Sequence, residues 1–154
     1  MQTIPKVFVV LGPTATGKSA LAIRLAQLFG AEIIAADSRT WYRELTIGTA
    51  KPPQDMGTSR VMNCGCSWWS NGIIHHQVSR LDPYSQGSVT QFVEECKVCQ
   101  QGIVERNKKI VMVGGSGQYI SHIVTPISIP EVKPDEHVRK KLSEKTLEEP
   151  FTDL

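Results

Sequence analysis

Three short apolar runs stand out when hydrophobic and polar positions are followed along the chain. They lie at residues 7–11, 31–36 and 110–113, and polar or glycine residues follow each of them. Short, mainly apolar runs of this kind are typical of strands that are buried in a parallel sheet. The pattern therefore predicts three buried strands, each with polar chain at its carboxyl end.

Helical periodicity alternates with these runs. It follows the first run, recurs from residue 88 to about 107, and returns in shorter form at 118–124 and 135–147. The apolar faces comprise Leu21, Leu25 and Leu28 in the first helix, and Val89, Phe92, Val93, Cys96 and Cys99 in the second. Alternating strands and helices predict an α/β fold, with a parallel sheet flanked by helices.

The segment after the second run is less regular. Trp41, Tyr42 and Ile47 are its expected packing residues, and the prolines at 52 and 53 predict a loop. Asn71-Gly72 between apolar stretches predicts a small hairpin. The following pair, His75-His76, is expected to lie in a loop that hydrogen bonds hold in place, in preference to a catalytic role.

The first strand runs directly into a sequence that fits G-x-x-x-x-G-K-[ST], and a helical pattern follows. This order predicts a P-loop, in which Gly12 and Gly17 let the backbone turn its N–H groups toward phosphate oxygens. Lys18 would neutralise the outer phosphates, and the Ser19 hydroxyl would reach a phosphate or its Mg²⁺. The predicted phosphate-binding residues are Gly12, Pro13, Thr14, Ala15, Thr16, Gly17, Lys18 and Ser19.

Two further polar segments end the other predicted strands. Asp37-Ser38 follows the second run, and a glycine-rich turn at 114–117 follows the third. Ligands of open α/β sheets bind at the carboxyl ends of the strands, so both segments are expected beside the P-loop. A helix N-cap is the structural alternative for Asp37.

Composition limits the class of protein. The chain has 154 residues, 40% of them hydrophobic, and a formal charge of +2. These values favour one soluble globular domain, and the small charge neither requires nor excludes a nucleic-acid partner. No apolar run is long enough to span a bilayer, and the short polar start before the first strand predicts a cytoplasmic protein without a signal peptide.

The four cysteines, Cys64, Cys66, Cys96 and Cys99, form a C-x-C and a C-x-x-C. Zinc binding remains one interpretation of this pattern. Reduced and partly buried thiols are favoured, because the first pair is tightly spaced and the second lies in a helical pattern.

Seven short motifs occur in an order that resembles the tRNA dimethylallyltransferases, also called tRNA isopentenyltransferases. The resemblance runs from Lys6 to about Leu142. The motifs are the P-loop, Ala-Asp-Ser at 36–38, Tyr-Arg at 42–43, Ile-Gly-Thr-Ala-Lys-Pro at 47–52, His-His at 75–76, Leu-Asp-Pro at 81–83 and Gly-Gly-Ser-Gly-Gln-Tyr at 114–119.

The resemblance implies a prenyl transfer. The P-loop would hold the pyrophosphate of dimethylallyl diphosphate with Mg²⁺ at Ser19, and the acceptor would be N6 of the tRNA adenosine just 3′ of the anticodon. Asp37 would be the base, acting with Lys18 and Ser19. The tRNA-binding residues implied are Asp37, Ser38, Arg39, Thr40, Ser116 and Arg139.

The chain departs from the family pattern at three matched positions. Thr40 stands where Gln is frequent, Ser116 where Thr is usual, and Gly87 where an aromatic residue is common. Ser116 keeps the hydroxyl of the usual Thr, whereas Thr40 puts one contact to tRNA in doubt.

Length also differs, since members of the family are about twice as long. The resemblance implies a P-loop core at 1–127 and the beginning of a truncated helical, tRNA-binding insertion at 128–154. We therefore expect a fragment that transfers slowly by itself, and a monomer at full length. Two alternatives stay open: a P-loop module that binds nucleotide or pyrophosphate without turnover, and a small kinase or isopentenyltransferase that acts on free adenine nucleotides.

Overall fold

A computed structural model describes residues 5–56, 60–62, 65–125 and 135–144 of the chain. The strands are β1 (Val7–Leu11), β2 (Ala31–Ala35), β3 (Arg60–Met62), β4 (Gly65–Ser70), β5 (Ile73–His76) and β6 (Lys109–Gly114). The helices are α1 (Lys18–Phe29), α2 (Val89–Glu105), α3 (Gly117–Val124) and α4 (Glu136–Ser143).

One sheet contains these strands in the order β1-β6-β2-β5-β4-β3. The pairs β1–β6, β6–β2 and β2–β5 are parallel, whereas β4 pairs antiparallel with both β5 and β3. The predicted hairpin is confirmed between β4 and β5. Its turn residues Asn71 and Gly72 both have left-handed φ angles, of 53° and 70°, as a tight two-residue turn requires.

The two faces of the sheet carry separate apolar cores. Ile33 of β2 and Val111 of β6 pack with Ala22 and Ala26 of α1 on one face. Ile34 and its neighbours pack against α2 and α3 on the other face. That second core contains Ile34, Ala36, Trp41, Phe92, Cys96, Cys99, Ile103, Ile110, Met112 and Ile120. Alternate residues of a strand point to opposite faces, so a buried strand such as β2 is apolar almost throughout.

The expectation that the first strand is buried is wrong. β1 forms an edge of the sheet within the described residues, and Phe8, Val9 and Leu11 are 40–54% exposed. In α1 the exposed stripe includes Leu21 and Leu28, because the helix packs through its alanines, whose small side chains let it approach the sheet closely.

The irregular segment after β2 is only partly as predicted. Trp41 is fully buried and Tyr42 is half-buried, whereas the predicted packing of Ile47 is wrong, since its side chain is 95% exposed. Gly87 leaves room for Trp41, because a Cβ at position 87 would lie 2.5 Å from the indole ring. The buried Trp41 thus accounts for the absence of an aromatic side chain at position 87.

Helix α4 confirms a helix near the predicted position and has no buried residue. The expected continuation at 145–147 lies outside the described residues, and so does the expected domain boundary at 127–128. That boundary stays a prediction. Among the described helices, none is both long enough and apolar enough to cross a membrane.

Candidate functional site

The P-loop connects β1 to the first turn of α1. Its left-handed residues are Ala15, with φ of 65°, and Gly17, with φ of 82°. Gly12 does not have a positive φ angle, so the predicted curl of the backbone depends on Gly17. The Thr16 hydroxyl donates to the carbonyl of Pro13 at 2.8 Å, and the Lys18 amine donates to the same oxygen. The lysine therefore lies folded against its own loop.

A cavity of about 230 Å³ opens beside this loop. It is lined by Thr14, Ala15, Thr16, Gly17, Lys18, Ser19, Ala20, Ile33, Ala35, Asp37, Thr40, Thr49, Ala50, Pro52, His75, Val113, Gly114 and Gly115. The P-loop makes one end polar and cationic. Ile33, Ala35 and Val113 from the sheet, together with residues of the 49–52 loop, make the adjoining wall largely apolar.

Asp37 reaches the cavity because β2 and β6 end side by side. The Ala36 amide donates to the carbonyl of Val113 at 2.8 Å, which continues the pairing up to Asp37. Gly114 permits this approach, since a Cβ there would lie 2.0 Å from the carbonyl oxygen of Ala36. The second glycine-rich turn therefore lies beside the P-loop, as the sequence predicts.

The local conformation of Asp37 distinguishes between its two predicted roles, a catalytic base and a helix N-cap. Its Oδ1 accepts a hydrogen bond from the Arg39 amide at 2.8 Å. This bond caps a turn, and no helix begins here, so the alternative of a helix N-cap is wrong. The carboxylate is half-buried and faces the same cavity as Lys18 and Ser19.

The other predicted tRNA-binding residues are dispersed. Thr40 is 6% exposed and lines the cavity, where its hydroxyl donates to the Asp37 carbonyl at 3.2 Å. Ser38 and Arg39 lie in the turn outside the cavity lining, Ser116 precedes α3, and Arg139 is exposed on α4. The structure therefore brings Asp37 and Thr40 to the P-loop pocket, but not the other four.

His75 is a residue of the pocket that the sequence analysis misplaced. It lies in β5 and not in a loop, is 5% exposed, and lines the cavity. One ring nitrogen bonds to the backbone of Ser70, whereas Nε2 has no partner among the described residues. Burial lowers the pKa of His75 to about 4, so the imidazole is neutral. The local sequence, Ile-Ile-His-His at 73–76, gives no alternation that signals this position, which follows from the pairing of β5 with β2 and β4.

His76, the adjacent residue, has a different environment. It faces α2, and its Nε2 lies 2.6 Å from Oε2 of the buried Glu32. The Arg106 guanidinium donates to both oxygens of Glu32, at 2.9 and 2.7 Å. Burial raises the pKa of Glu32, but the bonds from His76 and Arg106 outweigh it and hold the pKa at about 2. This cluster ties β2, β5 and the end of α2 together.

The cysteine pattern is only partly described. Cys96 and Cys99 are buried residues of α2, and burial raises the pKa of the Cys96 thiol to about 12. A thiol with such a pKa is a poor source of the thiolate that zinc binds. The described residues hold no cluster of three or more His, Cys, Asp or Glu side chains suited to a metal ion. Cys64 lies outside the described residues.

The P-loop and the parallel sheet define an α/β protein of the P-loop NTPase-like class, with a phosphate-binding pocket at the carboxyl edge of its sheet. The family model for IPP transferases matches residues 40–153. The chain therefore belongs to the IPP transferase family.

Individual relatives agree with this assignment. A tRNA dimethylallyltransferase from Synechococcus sp. is 34% identical over 93% of the chain, and one from Chlorobium luteolum is 38% identical over 92%. The crystal structure of a full-length tRNA isopentenylpyrophosphate transferase from Bacillus halodurans matches 90% of the chain, with a TM-score of 0.70 and 29% identity. The chain spans 44%, 41% and 41% of these three proteins.

Proposed function

We propose that this chain is the diphosphate-binding part of a tRNA dimethylallyltransferase. The reaction moves the dimethylallyl group of dimethylallyl diphosphate to N6 of the tRNA adenosine just 3′ of the anticodon. The observation that carries the proposal is that the P-loop, the Asp37 carboxylate and an apolar wall line one cavity. A charged diphosphate and a short hydrocarbon need these two surfaces side by side.

The cavity residues account for the charge changes of the transfer. As the C1–O bond to the diphosphate breaks, negative charge grows on the leaving pyrophosphate, where the P-loop amides and Lys18 stabilise it. The new bond joins N6 to C1, and the N6 proton passes to the Asp37 carboxylate. The bond from Arg39 occupies Oδ1 of Asp37, and we assign Oδ2 as the proton acceptor.

Mg²⁺ fits the residues of this pocket. The Ser19 hydroxyl is an oxygen ligand of the hard type that Mg²⁺ prefers. A site completed by substrate phosphates needs few protein ligands, which agrees with the absence of a larger metal-binding cluster among the described residues. Ser19 would hold the ion, which when bound neutralises charge on the diphosphate.

Recognition of tRNA is assigned to the residues around the cavity mouth. Ser38 and Arg39 lie in the turn beside Asp37, and Ser116 starts α3 nearby, with its amide directed to the Ala36 carbonyl at 3.4 Å. Arg139 would contact phosphate from the exposed α4. Because Thr40 is buried, we assign it the role of holding the Asp37 backbone. The proposal includes a cytoplasmic, monomeric protein at full length.

The transfer assay uses labelled dimethylallyl diphosphate, Mg²⁺ and unmodified tRNA. It is performed with the chain alone and with the chain joined to the C-terminal part of the Bacillus halodurans relative. We expect label on N6 of the adenosine next to the anticodon, and a loss of about 10²–10⁴-fold in rate for Asp37→Asn. Asn keeps the turn-capping oxygen but accepts no proton.

Three outcomes would contradict the proposal. Full-rate transfer by Asp37→Asn would remove Asp37 from the chemistry. Tight binding of diphosphate without transfer in any combination would favour a binding module, and transfer to free adenine nucleotides in preference to tRNA would favour the nucleotide enzyme.

A further inference from the structure

A cluster of aromatic rings joins α3 to the segment that follows Asp37. Tyr119 lies in the first turn of α3, and its ring stacks on the buried Phe92 of α2, with 4.4 Å between the centroids. Trp41 packs edge-on against the same Phe92 at 5.6 Å, and Tyr42 lies tilted against Trp41 at 6.4 Å. These contacts hold the Tyr119 ring in a fixed position beside residues 41 and 42.

Tyr119 is also close to Asp37. The start of α3 lies beside the end of β2, because the Ser116 amide is directed to the Ala36 carbonyl at 3.4 Å, and Tyr119 is three residues further on. Burial raises the pKa of the Tyr119 phenol, and the charges of Tyr42 and Asp37 raise it further. Neither tyrosine lines the cavity beside the P-loop. Tyr119 therefore lies near Asp37 but outside the diphosphate cavity.

The Tyr119 hydroxyl is available as a hydrogen-bond donor. Its ring is half-buried, and its hydroxyl has no hydrogen-bond partner in the described part of the chain. Other donors near Asp37 are already engaged, since the Arg39 amide donates to Oδ1 and the Thr40 hydroxyl donates to the carbonyl. A neutral phenol both donates and accepts, so the Tyr119 proton can be offered to a substrate.

The acceptor base must reach Asp37 from outside the cavity. In the proposed transfer, N6 attacks C1 from the side opposite the leaving pyrophosphate, which the P-loop holds inside the cavity. An extruded base is read through its Watson–Crick edge, where adenine presents the N6 amine beside the N1 acceptor. The Asp37 carboxylate accepts from N6, so the neighbouring N1 needs a donor.

We propose that Tyr119 is a specificity-determining residue, whose hydroxyl donates a hydrogen bond to N1 of the acceptor adenine while Asp37 accepts from N6. The two side chains then match the edge of adenine. Guanine presents the reverse order, an O6 acceptor beside an N1 donor, and leaves both side chains without a partner. This inference rests on the proposed function, because it places N6 at Asp37.

The test measures binding of anticodon stem-loop RNAs to the 154-residue chain, with pyrophosphate and Mg²⁺ at low salt. The RNAs carry adenosine, 1-deazaadenosine or 7-deazaadenosine just 3′ of the anticodon. We expect the 1-deaza RNA to bind roughly five- to tenfold more weakly than the adenosine RNA, the effect of one lost hydrogen bond. The 7-deaza RNA keeps N1 and should bind as the adenosine RNA does. Tyr119→Phe keeps the ring and should bind all three RNAs with the weaker affinity.

The matched control is Tyr84→Phe, which removes the same hydroxyl from a side chain that is 99% exposed and should keep the preference. If Tyr119→Phe does not fold, the unmodified chain still decides. The chain has three tyrosines, so ¹³Cζ labelling gives three resonances, which Tyr84→Phe and Tyr42→Phe assign. The Tyr119 resonance should shift with the adenosine RNA and not with the 1-deaza RNA.

The outcomes separate this inference from the proposed function. Equal binding of the adenosine and 1-deaza RNAs, or an unchanged ratio in Tyr119→Phe, would overturn the contact to N1. Transfer to N6 in the labelled assay would then leave the proposed function intact. Absence of transfer in every combination would overturn the proposed function, and the inference with it.

Discussion

The two adjacent histidines of β5 lie on opposite faces of the sheet and have opposite environments. On the α2 face, His76 contacts Glu32, which also receives two hydrogen bonds from Arg106. On the α1 face, His75 lines the pocket and leaves Nε2 without a partner in the described part of the chain. One histidine therefore stabilises the fold on the α2 face, whereas its neighbour lines a ligand pocket on the α1 face.

The two faces of the sheet differ in the same way along its length, one contributing mainly to stability and the other to ligand binding. The α2 face carries the larger apolar core and a satisfied ionic cluster. The α1 face combines a smaller core with the P-loop pocket. Substitutions on the α2 face should therefore change the free energy of unfolding. Substitutions in the P-loop should change affinity and leave unfolding nearly unaffected.

Glu32→Gln should have the largest effect on stability. The substitution removes the buried negative charge that His76 and Arg106 contact, and breaking such a pair costs about 3–5 kcal/mol. Urea unfolding followed by circular dichroism measures the loss. Glu95→Gln is the control, because its pair with Arg80 is longer, at 3.4 Å, and partly exposed, so less than about 1 kcal/mol is expected. Equal losses of stability in the two variants would mean that the buried Glu32 cluster stabilises the fold no more than the exposed Arg80–Glu95 pair does.

Acid unfolding should show two pH windows, one for each face. Burial lowers the pKa of His75 from 6.5 to about 4, so the unfolded state takes up its proton first. Up to about 3 kcal/mol of stability is therefore present above pH 6.5 and lost as the pH falls toward 4. The pKa of Glu32 is lowered from 4.5 to about 2, so its contribution is lost between those values.

Variants assign the two windows to their residues. His75→Leu should flatten the unfolding free energy between pH 6.5 and 4, and Glu32→Gln should flatten it below pH 4.5. Asp55 and His76 also shift the pKa of His75. The pH profile of each variant's stability is compared with that of the control His137→Leu, which makes the same replacement on the exposed surface of α4. A slope above pH 4.5 that persists in His75→Leu would mean that another group titrates there.

The sequence predicted the pocket better than it predicted the edges of the fold. The P-loop, Asp37 and the second glycine-rich turn come together because strand ends in a parallel sheet share one edge, and each was recognisable from a local pattern. The exposure of β1 was not predictable, because an apolar run does not tell which neighbours a strand has in the sheet.

The misplaced residues also have physical causes. Ile47 is apolar but lies in an exposed loop, and nothing in its local sequence gives its tertiary contacts. His75 and His76 were expected in a loop, because two polar residues end a short strand that only pairing with β2 and β4 makes evident. The ion cluster joins residues far apart in sequence, so periodicity could not predict it.

Lys18→Ala should act on ligand affinity alone. The amine is a charge-assisted donor for phosphate, and its loss should weaken pyrophosphate and dimethylallyl diphosphate binding by about 2–3 kcal/mol. Among the described residues the amine donates only to the Pro13 carbonyl of its own loop, so the melting temperature should change little. Calorimetry and thermal melting test both statements. Unchanged affinity would exclude the P-loop from diphosphate binding.

Gly114→Ala is a pocket substitution that should also lower stability. A Cβ at position 114 would lie 2.0 Å from the Ala36 carbonyl oxygen, so β2 and β6 must separate at the residue before Asp37. Overpacking of this kind lowers the free energy of unfolding by about 2 kcal/mol. It should also slow turnover, because it moves the Asp37 carboxylate. Gly115→Ala is the matched control, because its Cβ would meet only the Gly12 carbonyl oxygen, at 3.7 Å. The free energies of unfolding of the two variants, measured with urea, should differ by most of that 2 kcal/mol. Equal stability would show that the ends of β2 and β6 adjust freely. The division between a face for stability and a face for ligand binding would then be weaker than the packing suggests.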